Sequence, residues 1–302
     1  MNENSSVFLS YQRGYRAGGS ETFIAANPGG IGFIRDINLY DPEYLDTVEI
    51  GTRNVFLDGA LTLNANLFYS SYDDAQIRLT GENPADSSDD VTENAGEATL
   101  FGAEFLVDYF VNDEWNIFAS LGLLSAEYDD YPFAVDADGN PVNPDNPEFA
   151  NLSGNTVPGA PEVTFSLGAN YRHTSGFFAN ASLSYTGEYY DGVDNLEEDD
   201  FRAAFEAFND ANNADLNVDF GGTLTEVIEE KTDLTARFGY ETDTYSVYVF
   251  GSNLLNEEQI NNVNYGSVSP QTGELVLLGA TQETVATVNR PRVLGLGIDF
   301  RF

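Results

Sequence analysis

Few residues in this sequence are able to do chemistry, and their spacing limits what each can do. The single histidine, His173, lies in the turn-like segment His-Thr-Ser-Gly (His173–Gly176). Acid–base or nucleophilic work by an imidazole needs a partner held beside it. The sequence around His173 offers none of the catalytic kind, so it reads as a polar turn residue. Cysteine is absent, which removes thiol catalysis, disulfides, zinc fingers and iron–sulfur ligation together. Asp136–Glu148 (DADGNPVNPDNPE) suggests a calcium loop, but an EF-hand needs Gly at its sixth position and Glu at its twelfth. Here those positions hold Pro141 and Pro147, and the segment reads as a Pro/Asn/Gly-rich loop. The glycines of Ala17–Gly19 and Pro28–Gly30 are followed by no Lys-Ser/Thr pair, so they do not form a phosphate loop.

Three constellations leave two readings each, and a fourth leaves one. The acid run Leu196–Asp200 (LEEDD), with Asp191 and Asp194 before it, offers oxygen ligands for a divalent cation or a solvated acidic surface. Phe201, Phe205 and Phe208 recur at helical spacing after Asp199 and Asp200, predicting a short helix that acts as a lid or packs on neighbouring loops. Arg13 and Arg16, in Tyr-Gln-Arg-Gly-Tyr-Arg-Ala-Gly-Gly, stand in a chain with only 12 basic residues. They suit contact with an anionic ligand, or pairing with the surrounding acids. Tyr69, Tyr72, Tyr128, Tyr131, Tyr185, Tyr189 and Tyr190 cluster where strands meet long loops and read as an interfacial aromatic girdle. No catalytic, cofactor-binding or metal-ligating residue is assigned.

The elements that must position these residues follow from composition and period. With 12 Lys+Arg against 50 Asp+Glu the net charge is −38, which excludes a nucleic-acid binder. No window reaches the 18 or so apolar residues of a membrane helix. A membrane barrel stays open, since only alternate strand residues need be apolar. Met1–Ser6 has neither the basic nor the apolar region of a secretory signal, an observation at odds with export.

Period 2 recurs along the chain. Leu61, Leu63, Ala65, Leu67 and Tyr69 alternate with polar residues, and Phe68 breaks the pattern. Val163, Phe165, Leu167, Ala169 and Tyr171 alternate with Thr164, Ser166, Gly168, Asn170 and Arg172. The same holds around Phe101–Tyr109, Ile117–Leu123, Phe177–Tyr185, Leu234–Tyr240 and Leu294–Phe302, and Val7, Leu9 and Tyr11 begin the series. Asp46–Phe56 and Tyr245–Leu255 alternate poorly and are assigned as strands by position. About ten strands result, each near the ten residues that a tilted strand needs to cross a bilayer. Short connections at Leu57–Gly59, Asn112–Glu114, His173–Gly176 and Glu241–Thr244 alternate with long ones, as in a barrel with tight periplasmic turns and long external loops. That places both chain ends in the periplasm. Well over half of the 50 acids fall in the long connections, and the apolar sets contain none.

Six stretches, in order, resemble the C-terminal part of the β-barrel of TonB-dependent outer-membrane receptors. They are Tyr11–Gly19, Tyr40–Asp74, Asn94–Tyr109, Pro158–Tyr171, Gly251–Gln259 and Pro291–Phe302. The resemblance implies an all-β, antiparallel transmembrane barrel, in a family whose members close about 22 strands around an N-terminal plug. Residues 1–302 are then a single partial barrel domain, with the plug, the TonB-contact segment and about half the strands outside this sequence. The resemblance further implies an outer-membrane location in a Gram-negative bacterium and TonB-dependent uptake of a scarce nutrient, most commonly a ferric siderophore. Partners are then outer-membrane lipid, a small-molecule ligand, the TonB system through the plug, and the barrel-assembly machinery, which reads an aromatic C-terminal residue such as Phe302. Low-specificity ligand candidates are Arg13, Arg16, Phe201 and Phe205. The chain is not read as an enzyme. The alternatives are a ten-stranded barrel closing alone as a pore or adhesin, and an omptin-like surface protease, which would need acid–base groups at the external rim.

Overall fold

In the computed structural model, residues 4–26, 33–80, 90–94, 96–131, 153–192, 195, 227–258, 260–264, 285–288 and 290–301 are described. The polar/apolar alternation becomes one ten-stranded antiparallel sheet. Its strands are β1 (Ser5–Arg16), β4 (Glu43–Phe56), β5 (Leu61–Asp73), β8 (Glu97–Phe110), β9 (Trp115–Asp130), β10 (Val163–Arg172), β11 (Phe177–Thr186), β14 (Lys231–Glu241), β15 (Tyr245–Ser252) and β18 (Val293–Phe300). They pair in that order, with β1 and β18 at its ends. Four small hairpins stand in the long connections: β2 (Gly19–Ala26) with β3 (Phe33–Tyr40), β6 (Gln76–Thr80) with β7 (Asp90–Asn94), β12 (Tyr189–Tyr190) with β13 (Val227–Ile228), and β16 (Ile260–Asn264) with β17 (Val285–Val288).

Register carries the alternation from strand to strand, because directly paired residues share a face. One row runs Leu9, Ile50, Leu67, Ala103, Leu123, Val163. Its neighbour on the opposite face runs Phe8, Gly51, Asn66, Glu104, Gly122, Thr164. The first face is apolar yet open: in interior strands Leu67 is 47% exposed and Leu167 50%. A soluble sheet would cover such a surface, so the apolar set is not turned into a dry protein core.

The two poorly alternating segments are strands, and register explains their irregularity. On β4 the apolar face carries Val48 and Ile50 but also Thr52 and Asn54, set between Val7 and Ser5 of β1 and Ala65 and Leu63 of β5. Phe68 is a polar-face residue whose ring lies where a Cβ on Gly102, its register partner, would be. An aromatic covering a strand glycine restores packing that the glycine forgoes. The short turn at His173–Gly176 closes through Gly176 N–H to His173 O at 3.0 Å, with Gly176 at φ 100°, a conformation that glycine adopts without strain. Among the described residues the long connections contain hairpins that the sequence reading left as loops. The predicted helix around Phe201, Phe205 and Phe208, the acid run Leu196–Asp200, the segment Asp136–Glu148 and Phe302 lie outside the described residues.

Candidate functional site

Most buried side chains among the described residues gather at the rim of long connections, Phe178 and Ser246 beside the short turns excepted. Tyr72 of β5, Ala98 of β8 and Tyr128 of β9 form one register row, and Ala98, Ala126, Tyr128 and Tyr131 are all buried. The rings of Tyr128 and Tyr131 lie 5.0 Å apart. The chain beyond β9 folds back over them: Tyr128 N–H donates to Asn155 O at 2.9 Å, Gly154 N–H to Tyr128 O at 2.7 Å, and Tyr131 N–H to Ser153 Oγ at 2.9 Å. The girdle reading therefore holds for Tyr69 and Tyr185, which pair with Phe101 and Phe165 on the apolar face, and fails for Tyr72, Tyr128 and Tyr131. Tyr72 is three residues from Tyr69, and an odd step in a strand reverses the face.

A buried carboxylate organises the neighbouring rim. Glu43, at the start of β4, accepts the Tyr72 hydroxyl at 3.0 Å and the Gln76 N–H at 2.7 Å, which satisfies a charge otherwise costly to bury. Gln76 Nε2 donates to Ala17 O and Asp41 O, each at 3.0 Å, and Asn94 Nδ2 donates to Asp41 O at 3.0 Å and Asp74 O at 2.8 Å. Thr92 donates its N–H and its hydroxyl to Glu21, at 2.9 and 2.8 Å. The β2–β3 and β6–β7 hairpins are thereby tied into one tier. In the β12–β13 hairpin, burial and then the nearby Asp191 carboxylate push Tyr189 above the ordinary tyrosine range.

The structure separates the two candidate arginines. Arg16 pairs in register with Glu43, on the side of the tyrosine cluster. Arg13 lies on the apolar-face side with Tyr11: its guanidinium sits 4.4 Å from the Tyr44 ring centroid and 3.8 Å from Asp46, which also accepts the Tyr11 hydroxyl at 2.6 Å. Phe201 and Phe205 lie outside the described residues.

Below the cluster the polar face is a wall of short hydrogen-bonded side chains. Asn180 donates to Asn170 at 2.7 Å, Asn170 donates to Asn116 at 3.0 Å, and Asn116 donates to Asp108. Ser120 meets Ser166, and Ser182 meets Thr235. Next in the amide row is Arg237, stacked 3.4 Å from the Tyr248 ring centroid and 3.6 Å from Asp299. At the short-turn rim, Arg172 and Arg301 both reach Glu241, at 2.9 and 3.1 Å.

His173 has one partner from its own segment, Ser175, and one that its sequence neighbourhood did not show, Glu114. Nε2 lies 3.6 Å from Glu114 of the adjacent turn, and Nδ1 accepts the Ser175 N–H at 3.1 Å and meets Ser175 Oγ at 2.7 Å. The hydroxyl sits on the nitrogen that a serine triad directs at its carboxylate, so the contacts close a turn. Among the described residues no group of three or more His, Cys, Asp or Glu is placed to hold a metal ion. The arrangement suits binding and passage of a polar solute.

The family model described as TonB dependent receptor-like, beta-barrel, matches residues 1–254. A probable TonB-dependent siderophore receptor, PiuA of Acinetobacter baumannii, is 26% identical over 204 residues, 65% of this chain and 24% of that protein. The catecholate siderophore receptor Fiu of Escherichia coli K12 is 25% identical over 195 residues, 64% of this chain and 22% of its own length. The crystal structure of the ferric yersiniabactin uptake receptor FyuA from Yersinia pestis superposes with a TM-score of 0.65 at 18% identity, covering 100% of this chain and 36% of that one. The chain belongs to the TonB-dependent receptor β-barrel family, whose members are outer-membrane transport receptors. It spans about a quarter of the length of the two receptors matched in sequence.

Proposed function

We propose that this receptor segment forms part of the wall of an importer that takes up a ferric siderophore by TonB-dependent transport, with its long connections outside the cell and its short turns in the periplasm. The family match over residues 1–254 carries the reading. The orientation is supported by the asymmetry of the rims, since outer-membrane barrels pair short periplasmic turns with long external loops. The cargo is supported by the names of the relatives, and by Tyr72 beside the Arg16–Glu43 pair, groups suited to an aromatic or anionic chelate.

In this mechanism the wall makes no covalent bond. The external loops, with the plug that the family resemblance implies, capture the chelate. TonB then pulls on the plug, and the cargo crosses a lumen lined by the amide and hydroxyl ladder. The inner strands satisfy their backbone groups against one another, and the outer edges of β1 and β18 pair with the remaining strands of the full receptor, which makes the wall stable in hydrocarbon. Arg16, Phe201 and Phe205 contact cargo from the external side. The C-terminal strand, ending in Phe302, engages the assembly machinery.

The test is uptake of radiolabelled iron siderophores by iron-starved cells carrying or lacking the full receptor that contains this chain. The reading expects uptake of at least one chelate class that disappears on loss of either the receptor or TonB. Uptake unchanged by both deletions across catecholate, hydroxamate and mixed chelates overturns the cargo assignment.

A further inference from the structure

The apolar face is not a uniform ridge of large side chains. A trough of about 800 Å³ is sunk into it over β10, β11, β14 and β15. Its floor is the register row Ala169, Ala181, Ala236, Gly251. The row toward the short turns, Tyr171, Ala179, Phe238 and Val249, also lines it. One end is walled by Trp115 against Tyr171, ring centroids 4.7 Å apart. The other is walled by Leu254 and Leu294, which close over Gly251 where any Cβ would overlap them.

We infer that this trough is a binding site for one acyl chain of a phospholipid, held in the leaflet next to the short turns. The occupant follows from continuity and shape. The trough opens onto the bilayer-facing surface of an outer-membrane barrel, where the surrounding medium is hydrocarbon. Its lining is mostly apolar, with Asn180 and Arg237 also contributing, so water would find few partners there, while an empty trough forfeits dispersion contacts along its lining. A trough floored by Ala and Gly suits a flexible chain better than the flat face of another barrel. The headgroup end is also marked: the Tyr171 ring lies 6.3 Å from that of His173, and Trp115 opens β9 directly after a short turn. Amphipathic rings take that position at a membrane–water boundary. That the leaflet is the periplasmic one rests on the orientation proposed above; the site itself does not.

Trp115 is the only tryptophan of this chain and lies at the trough wall, so it can report occupancy. In the full receptor, with tryptophans elsewhere replaced by phenylalanine, delipidated protein in detergent is titrated with a phosphatidylethanolamine brominated on its acyl chains. The inference expects saturable quenching of Trp115 at one lipid per receptor. Ala181→Phe, which fills the floor, should weaken it at least tenfold, and Ala236→Leu should weaken it too. Ala103→Phe, on the same face but away from the trough, should leave it unchanged. Quenching that is linear in lipid and identical in all four proteins means an ordinary annulus and overturns the inference. So does a receptor dimer crosslinked through position 115 in the absence of lipid. Loss of siderophore uptake bears only on the cargo reading, because this titration needs no transport.

Discussion

The Tyr72 hydroxyl of β5 donates to Glu43 at the start of the adjacent β4 at 3.0 Å, and the same buried carboxylate takes the Gln76 N–H at 2.7 Å. One acid thus ties a polar-face tyrosine to the base of the β6–β7 hairpin. Glu43→Ala leaves two donors without their acceptor, and such a loss costs about 1–3 kcal/mol. The expected outcome is faster hydrogen exchange at Gln76 and easier proteolysis of the β6–β7 hairpin, with the transmembrane strands unaffected. Tyr72→Phe removes one donor and leaves the other, so its effect should be smaller. Equal exchange in wild type and Glu43→Ala would refute this role.

Leu183 and Ser184 are adjacent in β11 and face opposite ways, each paired with a residue of its own kind: Leu183 with Leu167 and Leu234, Ser184 with Ser166 and Asp233. Leu183→Arg should cost roughly 2–4 kcal/mol of folding stability in liposomes, the penalty for a basic residue on a mid-bilayer lipid face. Ser184→Arg, beside Asp233, should cost far less. Denaturant titrations of the two variants check the ordering.

Phe68 occupies the space that a side chain on Gly102 would need. Gly102→Ala should therefore destabilise by about 1–3 kcal/mol, the usual range for an overpacked site. In the Phe68→Ala background the same change should become milder but keep a cost, because a Cβ there would also lie 2.8 Å from Leu123 O, and a double-mutant cycle would show the coupling to the ring. Additive effects would mean that the ring contributes nothing to the clash.

In the β12–β13 hairpin the raised Tyr189 pKa has a definite consequence. The folded chain holds the phenol proton more tightly than the unfolded chain, whose value is about 10. The resulting stability is complete below that pH and is lost as pH rises through the folded value. A difference titration at phenolate wavelengths between wild type and Tyr189→Phe should place the missing ionisation above the ordinary tyrosine range. A midpoint at or below it would contradict the burial.

The faces of the sheet were legible because side chains alternate with period 2 and lipid rejects charge, so patterns such as Val163–Tyr171 report their surroundings directly. Phe68 misled because its justification, Gly102, is 34 positions away in sequence. The hairpins in the long connections were not legible for a similar reason. They are held by Glu21 on Thr92 and by Asn94 on the Asp41 and Asp74 carbonyls, contacts between segments remote in sequence. Tyr72 and Tyr128 could have been placed correctly by parity alone, since each lies an odd step from an apolar-face residue of its own strand. Glu114 beside His173 was hidden because the two occupy neighbouring turns that meet only after the strands pair.

The central claim is that one face of each strand touches hydrocarbon and the other touches water. The chain has no cysteine, so single cysteines can be placed in turn along Val163–Arg172 of the full receptor in native outer membranes, in a background free of other cysteines, and challenged with a membrane-impermeant maleimide. The account predicts labelling at 164, 166, 168 and 170 and protection at 163, 165, 167 and 169. Uniform reactivity, or the same alternation with its phase reversed, would contradict it.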